Sequence, residues 1–400
     1  MLRRLSSFAI ALLLIEFLDE FVYGVRQAAW PLLRDHLGLT YMQIGLLLGL
    51  PNILAGFIEP VLGVLGDTWR RRALVLGGGL FFALASYITS RATSFFPFFI
   101  AAVIFSPASG AFVHLAQAAL MDHAKDRREQ NMARWTFVGS VGVVGGPLVL
   151  GLVVWLGWGW RGLYLSFTVL TLFLLLFVRR FPFPVAQPAP EGLLGRTLMN
   201  GFRGALLALR RKEVLRWLTL LEFSDLMLDI LFGFLALYMV DVLHVTTEQA
   251  TIAVLVWTGV GLVGDLLLIP LLERVRGLTY LRISAVLELI LFPAFLLAPG
   301  YILKLVILAL LGLFNSGWYS ILKGQLYNTM PGQSGAVMTV GTMFGIWGQL
   351  LPMGIGLAAQ ALGLGPAMWL MLAGPVVLLI GLPRKAELYA LKQDDIQPPA

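Results

Sequence analysis

The chain has 400 residues, of which 58% are hydrophobic and 13% charged, and its formal net charge is +7. About 25% of the residues of a typical soluble domain are charged, so this composition excludes a water-soluble globular protein and indicates lipid as the main solvent. The sequence has no cysteine, which excludes disulfides, thiolate metal sites and cysteine nucleophiles. The excess of lysine and arginine is interpreted as a membrane-topology signal rather than as nucleic-acid binding.

Apolar runs separated by short polar stretches predict twelve membrane-spanning helices, because a helix needs about 20 apolar residues to cross a bilayer. Each span must be helical, since backbone polar groups in lipid are satisfied only within the segment. The first run contains Glu16, Asp19 and Glu20 and no cleavage pattern, so it is predicted to be a retained span rather than a signal peptide. The predicted spans are 6–28, 43–66, 73–93, 97–121, 134–157, 162–179, 215–240, 248–271, 281–298, 302–327, 336–361 and 364–382.

The longest interruption is a stretch rich in proline and charge, at about 180–214. It predicts an N-terminal six-helix bundle over 1–180, a cytoplasmic linker over 181–213 and a C-terminal six-helix bundle with a short tail over 214–400. A short interfacial helix is expected at about 193–209. Most of the 29 lysines and arginines lie in segments on the same side as the N-terminus. The positive-inside rule therefore predicts cytoplasmic termini in a bacterial-type inner membrane.

The two halves repeat at a constant offset of 206 residues, which is most visible in their polar residues. The matching pairs are Glu16 with Glu222, Asp19 with Asp225, Asp35 with Asp241, Gln43 with Gln249, Asp67 with Glu273 and Arg70 with Arg276. Parallel six-span halves of this kind form transporters whose substrate site lies between the halves, near the membrane midplane.

Carboxylates within the first and seventh spans are the main candidate site residues, because ionisable residues inside a membrane are rare and usually functional. Helical spacing puts them on one face of each span: Glu16, Asp19, Glu20 and Tyr23 in the first, and Glu222, Asp225 and Asp229 in the seventh. These faces are expected to oppose each other across a cavity and to bind protons or a cationic substrate. The alternative is that some of them only pair with Arg26 or Lys323.

Other polar residues within the spans have two open interpretations. His114 is either a proton relay or substrate contact, or a packing histidine. Lys323 either neutralises Asp225 or Asp229 or binds a substrate anion. Glu59 and Asp265 are expected near the cavity or an interface, and Glu288 on the lipid side near a span end. The predicted cavity lining is Tyr23, Gln117, Asn315, Trp318 and Gln349.

The loop after the second span reads Gly63-Val64-Leu65-Gly66-Asp67-Thr68-Trp69-Arg70-Arg71-Arg72. It resembles the Gly-x-Leu-Ala-Asp-Arg-x-Gly-Arg-Arg signature of the major facilitator superfamily. Gly66, Thr68 and Arg70 depart from that signature, and Glu273 to Arg276 forms a degenerate second copy. The resemblance implies the all-α major facilitator fold, with two pseudo-symmetric six-helix bundles. It also implies a gating role for Asp67, Arg71, Arg72, Glu273 and Arg276, with Asp67 capping the eleventh span and pairing with Arg134 or Arg128.

A second motif, Gly142-Val143-Val144-Gly145-Gly146-Pro147, resembles the Gly-x-x-x-Gly-Pro signature of exporters in this superfamily. Gly142, Gly146 and Pro147 are therefore predicted to form a helix-packing motif. The order of Glu20, Pro31-Leu32-Leu33 and Ser109-Gly110 before His114 is similar to fosmidomycin-resistance-type exporters. The arginine that many drug/proton exporters carry in the fourth span is absent from Ser106 to Gly110.

We therefore expect a secondary active transporter that works by alternating access and exports a small amphipathic or drug-like solute in exchange for protons. The alternative is a proton-coupled uptake symporter or facilitator of a metabolite, and a remote one is a transport-inactive sensor or scaffold. No enzyme is expected, because the sequence has no nucleophile–base pairing, phosphate loop or metal spacing. The expected partners are the small solute and the lipid bilayer, without nucleic acid. The protein is expected to act as a monomer, to need no cofactor and to use the proton gradient as its energy source.

Overall fold

The computed structural model describes residues 6–68, 71–123, 128–183, 203–204, 206–330 and 334–383. Within these ranges every regular element is helical, and eleven helical stretches are long and apolar enough to cross a membrane. The first helix, Ser7–Ala28, has 22 residues and also carries Glu16, Asp19 and Glu20. With that helix, the described residues contain the twelve predicted spans.

The N-terminal half is built from long helices, one of which contains a π-helical turn. The described helices are α1 (Ser7–Ala28), α2 (Trp30–Leu37), α3 (Tyr41–Thr68), α4 (Arg71–Arg91), α5 (Phe95–Ser109), α6 (Leu115–His123), α7 (Arg128–Trp155) and α8 (Trp160–Val178). The π-helical turn Gly110–His114 joins α5 to α6 within one span. Such π-bulges frequently occur at functional sites.

The C-terminal half has the same order of spans, and four of them are interrupted. One of these is the eleventh, in which Gln349 separates Ser334–Gly348 from Leu350–Leu362. The described helices are α9 (Lys212–Ser224), α10 (Asp229–Asp241), α11 (Thr247–Arg274), α12 (Gly277–Leu297), α13 (Tyr301–Phe314), α14 (Trp318–Asn328), α15 (Ser334–Gly348), α16 (Leu350–Leu362), α17 (Leu364–Met368) and α18 (Ala373–Gly381). The 3-10 turn Asp225–Met227 separates α9 from α10, and Trp369–Leu372 separates α17 from α18. The break between α13 and α14 contains Gly317, whose φ of +73° favours glycine.

The packing follows the repeat. In the N-terminal half α3 packs on α5 and α4 on α8, and in the C-terminal half the equivalent helices pack in the same way, α11 on α13 and α12 on α18. The halves meet through α3 with α16 and through α7 with α11. Large apolar side chains such as Phe173, Ile290 and Ile380 are exposed on the outer surface. An exposed apolar surface of this extent is typical of a protein surrounded by lipid.

We refer to the end of the bundle at the junction of α2 and α3 as the Arg34 face, and to the opposite end, where α4 begins, as the Arg71 face. The halves are joined at the Arg34 face. Asp241 at the end of α10 accepts hydrogen bonds from the Arg34 guanidinium and, at 2.6 Å, from the Tyr41 hydroxyl. Beside them, a Cβ added at Gly45 would lie 2.6 Å from the Pro352 carbonyl oxygen of α16. The two halves are therefore in backbone contact at this end.

Some predicted features lie outside the described residues. They include most of the linker with its interfacial helix at about 193–209, the tail after residue 383, and the side chain of Asp67. The division into 1–180, 181–213 and 214–400 stays a prediction.

Candidate functional site: a cavity between the two halves

A cavity of about 1170 Å³ lies between the two halves. Its walls come from α1, α3, the α5–α6 span and α7 on one side, and from α10, α11 and the α13–α14 break on the other. Pockets for drug-sized molecules have volumes of about 300–1,000 Å³, so this cavity is large enough for such a solute. It extends from the middle of the bundle toward the Arg71 face, where Leu272 near the end of α11 lines it.

One face of α1 supplies the charged wall of the cavity. Asp19, Glu20, Tyr23 and Arg26 all line it, as expected from their spacing on one helical face. Asp19 Oδ1 accepts a 2.8 Å hydrogen bond from the Ser109 hydroxyl. The Arg26 Cζ atom lies 5.6 Å from the centre of the Tyr23 ring. At that distance a guanidinium is attracted by the aromatic ring, which positions Arg26 among the carboxylates.

The opposite wall begins at the 3-10 turn between α9 and α10. Asp229, the first residue of α10, lines the cavity and interacts with Tyr23 of α1. The ring centres of Tyr23 and Phe232 are 5.7 Å apart, and those of Phe232 and Trp257 are 5.4 Å apart. A row of three aromatic rings therefore crosses from one half to the other beside the carboxylates.

The π-helical turn brings a second polar group to the cavity. His114, at the end of the turn, and Glu59 of α3 both line it, with 3.8 Å between His114 Nδ1 and Glu59 Oε2. The His114 side chain is 63% exposed, so the structure places it in the cavity rather than in a packed core. Glu59 also contacts the turn itself, because a Cβ added at Gly110 would lie 2.8 Å from Glu59 Oε1.

Not every predicted site residue lines the cavity. Asn315 and Trp318 do, but these six do not: Glu16, Glu222, Asp225, Lys323, Gln117 and Gln349. Gln349 of α16 instead accepts a 3.2 Å hydrogen bond from the Asn52 side chain of α3 and so links the halves. The candidate proton-binding carboxyls thus divide into a cavity set, which is Asp19, Glu20 and Asp229, and a set behind the wall.

Two of the residues behind the wall occupy equivalent pockets. Glu16 is 6% exposed and packs on α7, where a Cβ added at Gly139 would lie 2.7 Å from Glu16 Oε1. Glu222 packs on α15 in the same way, against Gly345 and Gly348. Gly345 is 206 residues after Gly139, so the repeat extends into the fifth span of each half. The nearby charge differs, because Lys323 acts electrostatically on Glu222.

Several lining residues were not singled out from the sequence as site residues, and some of their polar atoms have no partner. Within the described part of the chain, Arg26 Nε and Trp257 Nε1 are buried and make no hydrogen bond. Asn52 also lines the cavity, as does Asp265, which the sequence predicts near the cavity or an interface. Helical spacing could have identified Arg26, which lies three residues after Tyr23 on the same face. Trp257 gives no such signal, because an aromatic residue within a span is ordinarily a packing residue.

The residues predicted to gate the Arg71 face make contacts within the N-terminal half. Arg71 donates to the Gly66 carbonyl at 3.1 Å and to Asp122 at 2.7 Å, and so connects α3, α4 and α6. Arg72 donates to the carbonyl oxygen of Arg179. Glu273 and Arg276 are exposed at this face.

Of the partners predicted for Asp67, Arg134 donates to Asn131 at 3.2 Å, and the side chain of Arg128 is not among those described. The pairing of Asp67 stays a prediction.

The glycine motif of α7 packs directly on α1. A Cβ added at Gly142 would lie 2.8 Å from the Phe17 carbonyl oxygen, and one added at Gly146 would lie 2.8 Å from the Gly24 Cα atom. Pro147 is within α7. Small residues at these positions allow the two backbones to approach closely, and this contact positions the face of α1 that carries Asp19 and Glu20.

Electrostatics outside the spans centre on Arg34, which is 20% exposed. Burial acts to lower the pKa of this guanidinium, but its hydrogen bonds to Asp241 and Asp35 outweigh burial and raise that pKa. Arg34 therefore stays charged. Among the described residues no group of three or more His, Asp or Glu side chains is placed to hold a metal ion.

Comparison with known proteins identifies relatives over nearly the whole chain. The family model described as Major Facilitator Superfamily matches residues 12–353. The multidrug resistance protein MdtL of Klebsiella pneumoniae subsp. pneumoniae is 27% identical over 239 residues, which covers 58% of this chain and only 59% of that protein. The uncharacterized MFS-type transporter YfnC of Bacillus subtilis is 24% identical over 88% of this chain and 86% of its own length.

Solved structures share the fold at low sequence identity. The nucleoside transporter NupG, as a mutant, has a TM-score of 0.78 at 16% identity and covers 94% of this chain and 98% of its own. A bacterial homologue of the human lysosomal transporter Spinster, inward-facing and unoccupied, has a TM-score of 0.71 at 17% identity, with 99% of both chains covered. A D-xylose-proton symporter has a TM-score of 0.70 at 15% identity, with 94% and 97% covered.

Proposed function

Because the chain belongs to the Major Facilitator Superfamily and is a membrane transporter rather than an enzyme, we propose that it exports a small amphipathic solute in exchange for protons. The observation that carries the proposal is the composition of the cavity. It combines five carboxyl groups with an aromatic row that joins the halves. The carboxyl groups are those of Asp19, Glu20, Glu59, Asp229 and Asp265. An amphipathic solute requires both kinds of contact.

Alternating access gives the two faces different roles. The halves are joined at the Arg34 face through Asp241, whereas the cavity extends toward the Arg71 face. With both termini in the cytoplasm, as the positive-inside rule predicts, this arrangement is the inward-facing state of an inner-membrane protein. Transport then requires the Arg34 face to open and the Arg71 face to close, with the halves rocking about the cavity.

Proton coupling follows from the carboxylates in one cavity. Like charges close together repel each other, so a cavity lined by five carboxyl groups favours either bound protons or a bound cation. Arg26 interacts electrostatically with Asp19, Glu20 and Asp229 and offsets part of this charge. Competition between protons and a solute for the same carboxyls couples the two fluxes in opposite directions, which is antiport. The protein itself requires no cofactor for this cycle.

Export is favoured over uptake by two observations. The sequence is similar to MdtL, whose name is that of a multidrug resistance protein, and the Gly142 to Pro147 motif resembles exporters. The second candidate is proton-coupled uptake of a metabolite, which is supported by the fold similarity to a D-xylose-proton symporter.

Flux measurements in proteoliposomes test the proposal, with ethidium as a lipophilic cationic probe and D-xylose and uridine as metabolite probes. We expect an imposed proton gradient to drive ethidium across the membrane in the direction opposite to the proton flux. A protonophore, which dissipates the gradient, should stop the ethidium flux. Accumulation in vesicles of known orientation gives the direction. Ethidium flux that is independent of both the proton gradient and pH contradicts proton coupling. Accumulation of D-xylose or uridine in the same direction as the proton flux supports the uptake candidate.

A further inference from the structure

Glu288 is a buried carboxyl group that lies outside the cavity. It is in the middle of α12 and is 0% exposed, so the expectation that it lies on the lipid side near a span end is wrong. Neither of its oxygens has a hydrogen-bond partner among the residues that the structure describes. A buried polar side chain without a partner is rare in a folded protein, so its presence requires a physical explanation.

The helices packed around Glu288 do not neutralise it. α12 packs on α13, α14, α18 and the turn Trp369–Leu372, and the last two contain no ionisable residue. The ionisable residues of α12 itself, α13 and α14 are Tyr280, Arg282, Tyr301, Lys304, Tyr319, Lys323 and Tyr327. Within the described chain none of these donates a hydrogen bond to Glu288. Tyr280 is close enough to Glu288 to interact with it electrostatically. The Tyr280 hydroxyl, however, donates its hydrogen bond to the Phe314 carbonyl at 3.3 Å.

The charged residues of this group are engaged elsewhere. Lys304 donates to the Leu296 carbonyl at 3.0 Å, at the far end of α12, and Arg282 donates to the Pro383 carbonyl. Lys323 interacts with Glu222. An ionised carboxylate surrounded by apolar atoms and without a partner is strongly unfavourable, so in this packing the side chain is favoured as the uncharged acid.

One hydrogen bond connects this region to the cavity. Ser284, one helical turn before Glu288, accepts a 2.8 Å hydrogen bond from Trp318 Nε1. Trp318 is the first residue of α14 and lines the cavity. On the other side of the α13–α14 break, the Gly317 amide donates to Asp265 at 3.1 Å. The break is therefore held between α11 and α12, and any movement of α14 changes the packing around Glu288.

We propose that Glu288 is a proton-binding site separate from the cavity carboxyls, whose occupancy changes when the α13–α14 break moves. In the packing described here the site holds its proton. When α14 moves away from Ser284, water or a polar group reaches the carboxyl and the proton is released. This inference rests on the proposed alternating access, but not on the direction of transport or on the identity of the solute.

Modification by dicyclohexylcarbodiimide tests the proton site in the full-length wild-type protein. This membrane-soluble reagent adds as a whole molecule to a protonated carboxyl group, and peptide mass spectrometry locates the adduct. We expect an adduct at Glu288 whose yield falls about tenfold as the pH is raised through the range in which the acid ionises. Glu288→Gln must lose this adduct and keep those on other peptides. An absent adduct, or one with the same yield at every pH, overturns the proposal.

The conformational part is tested by the rate of the same modification. Arg34→Gln removes an interaction that holds the halves together at the Arg34 face, and we expect it to change the rate at Glu288 about threefold or more by shifting the populations. Tyr301→Phe is the control, because Tyr301 donates to Gln249 within one half. Equal rates in wild type and Arg34→Gln overturn the link to conformation. If a proton gradient drives no ethidium flux but the adduct yield at Glu288 still falls with rising pH, the result contradicts only the proposed function.

Discussion

Asp225 and Asp229 are four residues apart, yet the 3-10 turn between α9 and α10 separates their roles. Asp229 lines the cavity and interacts with Tyr23, whereas Asp225 lies behind the wall. Asp225 begins the 3-10 turn, whereas Asp229 is the first residue of α10, so the two carboxyls belong to different elements. Of the two carboxyls, that of Asp229 is therefore the candidate for direct contact with a solute in the cavity.

Asp229→Asn is therefore expected to lower proton-driven ethidium flux about tenfold or more, because it removes one carboxyl from the site of competition. Asp225→Asn is the matched control and should retain most of the flux. The measurement is the initial rate in proteoliposomes, with equal amounts of folded protein verified by size-exclusion chromatography. The opposite result, a larger loss in Asp225→Asn, contradicts the division between the cavity set and the residues behind the wall.

At the scale of helices, the contact between α1 and α7 depends on glycine. The backbones of Gly24 and Gly146 are so close that a Cβ on Gly146 would collide with main-chain atoms of Gly24 and Val25. Backbone cannot move aside as a flexible side chain can, so the helices would have to separate. That separation would also displace the face of α1 that carries the carboxylates.

Gly146→Ala is expected to destabilise the protein by about 1–3 kcal/mol, the usual range for inserting a methyl group into a packed interior. Gly77→Ala is the control, because a Cβ at Gly77 of α4 would meet no atom within 4 Å. Alanine at that position should be neutral or stabilising by up to about 1 kcal/mol. Thermal unfolding in detergent measures both. Equal melting temperatures for the two variants would show that the close approach of α1 and α7 is not needed.

Helices and their repeat were predictable from sequence, but the interruptions were not. Hydropathy reports only whether a stretch is apolar, so Asp225–Met227, Gly110–His114 and the α13–α14 break all lie inside predicted spans. Their irregular backbone is held by partners from other helices, as the Asp265 carboxylate holds the Gly317 amide. Asp19, Glu20 and Tyr23 were found because helical spacing is local. The position of Glu288 depends on which way α12 faces, which tertiary packing decides.

At the scale of the whole molecule, one carboxylate accepts two of the hydrogen bonds that join the halves at the Arg34 face. Asp241 is 13% exposed and accepts from both Arg34 and Tyr41, each from the other half. A hydrogen bond to a charged group contributes about 1.5–3 kcal/mol. The stability of the closed face relative to the open one therefore depends directly on these donors.

Tyr41→Phe is expected to shift the balance between the closed and open Arg34 face about tenfold toward the open state, which corresponds to about 1.4 kcal/mol. Tyr301→Phe, which removes a hydroxyl at the same face but within one half, should leave the balance unchanged. Because the native chain has no cysteine, two introduced cysteines carrying spin labels on α2 and α10 report the distance between the halves without background. An unchanged distance distribution in Tyr41→Phe contradicts the role of this contact.

The guanidinium of Arg34 contacts two carboxylates, and they are repeat-related: Asp35 at 2.8 Å in its own half and Asp241 in the other. When the halves separate at this end, Arg34 keeps Asp35 and loses only Asp241. A buried charge left without any counterion would strongly disfavour opening. Arg34 does not become such a charge, because it stays paired with Asp35. Duplication of one acidic position has therefore produced both a closing contact and its replacement, which lowers the barrier between the two states.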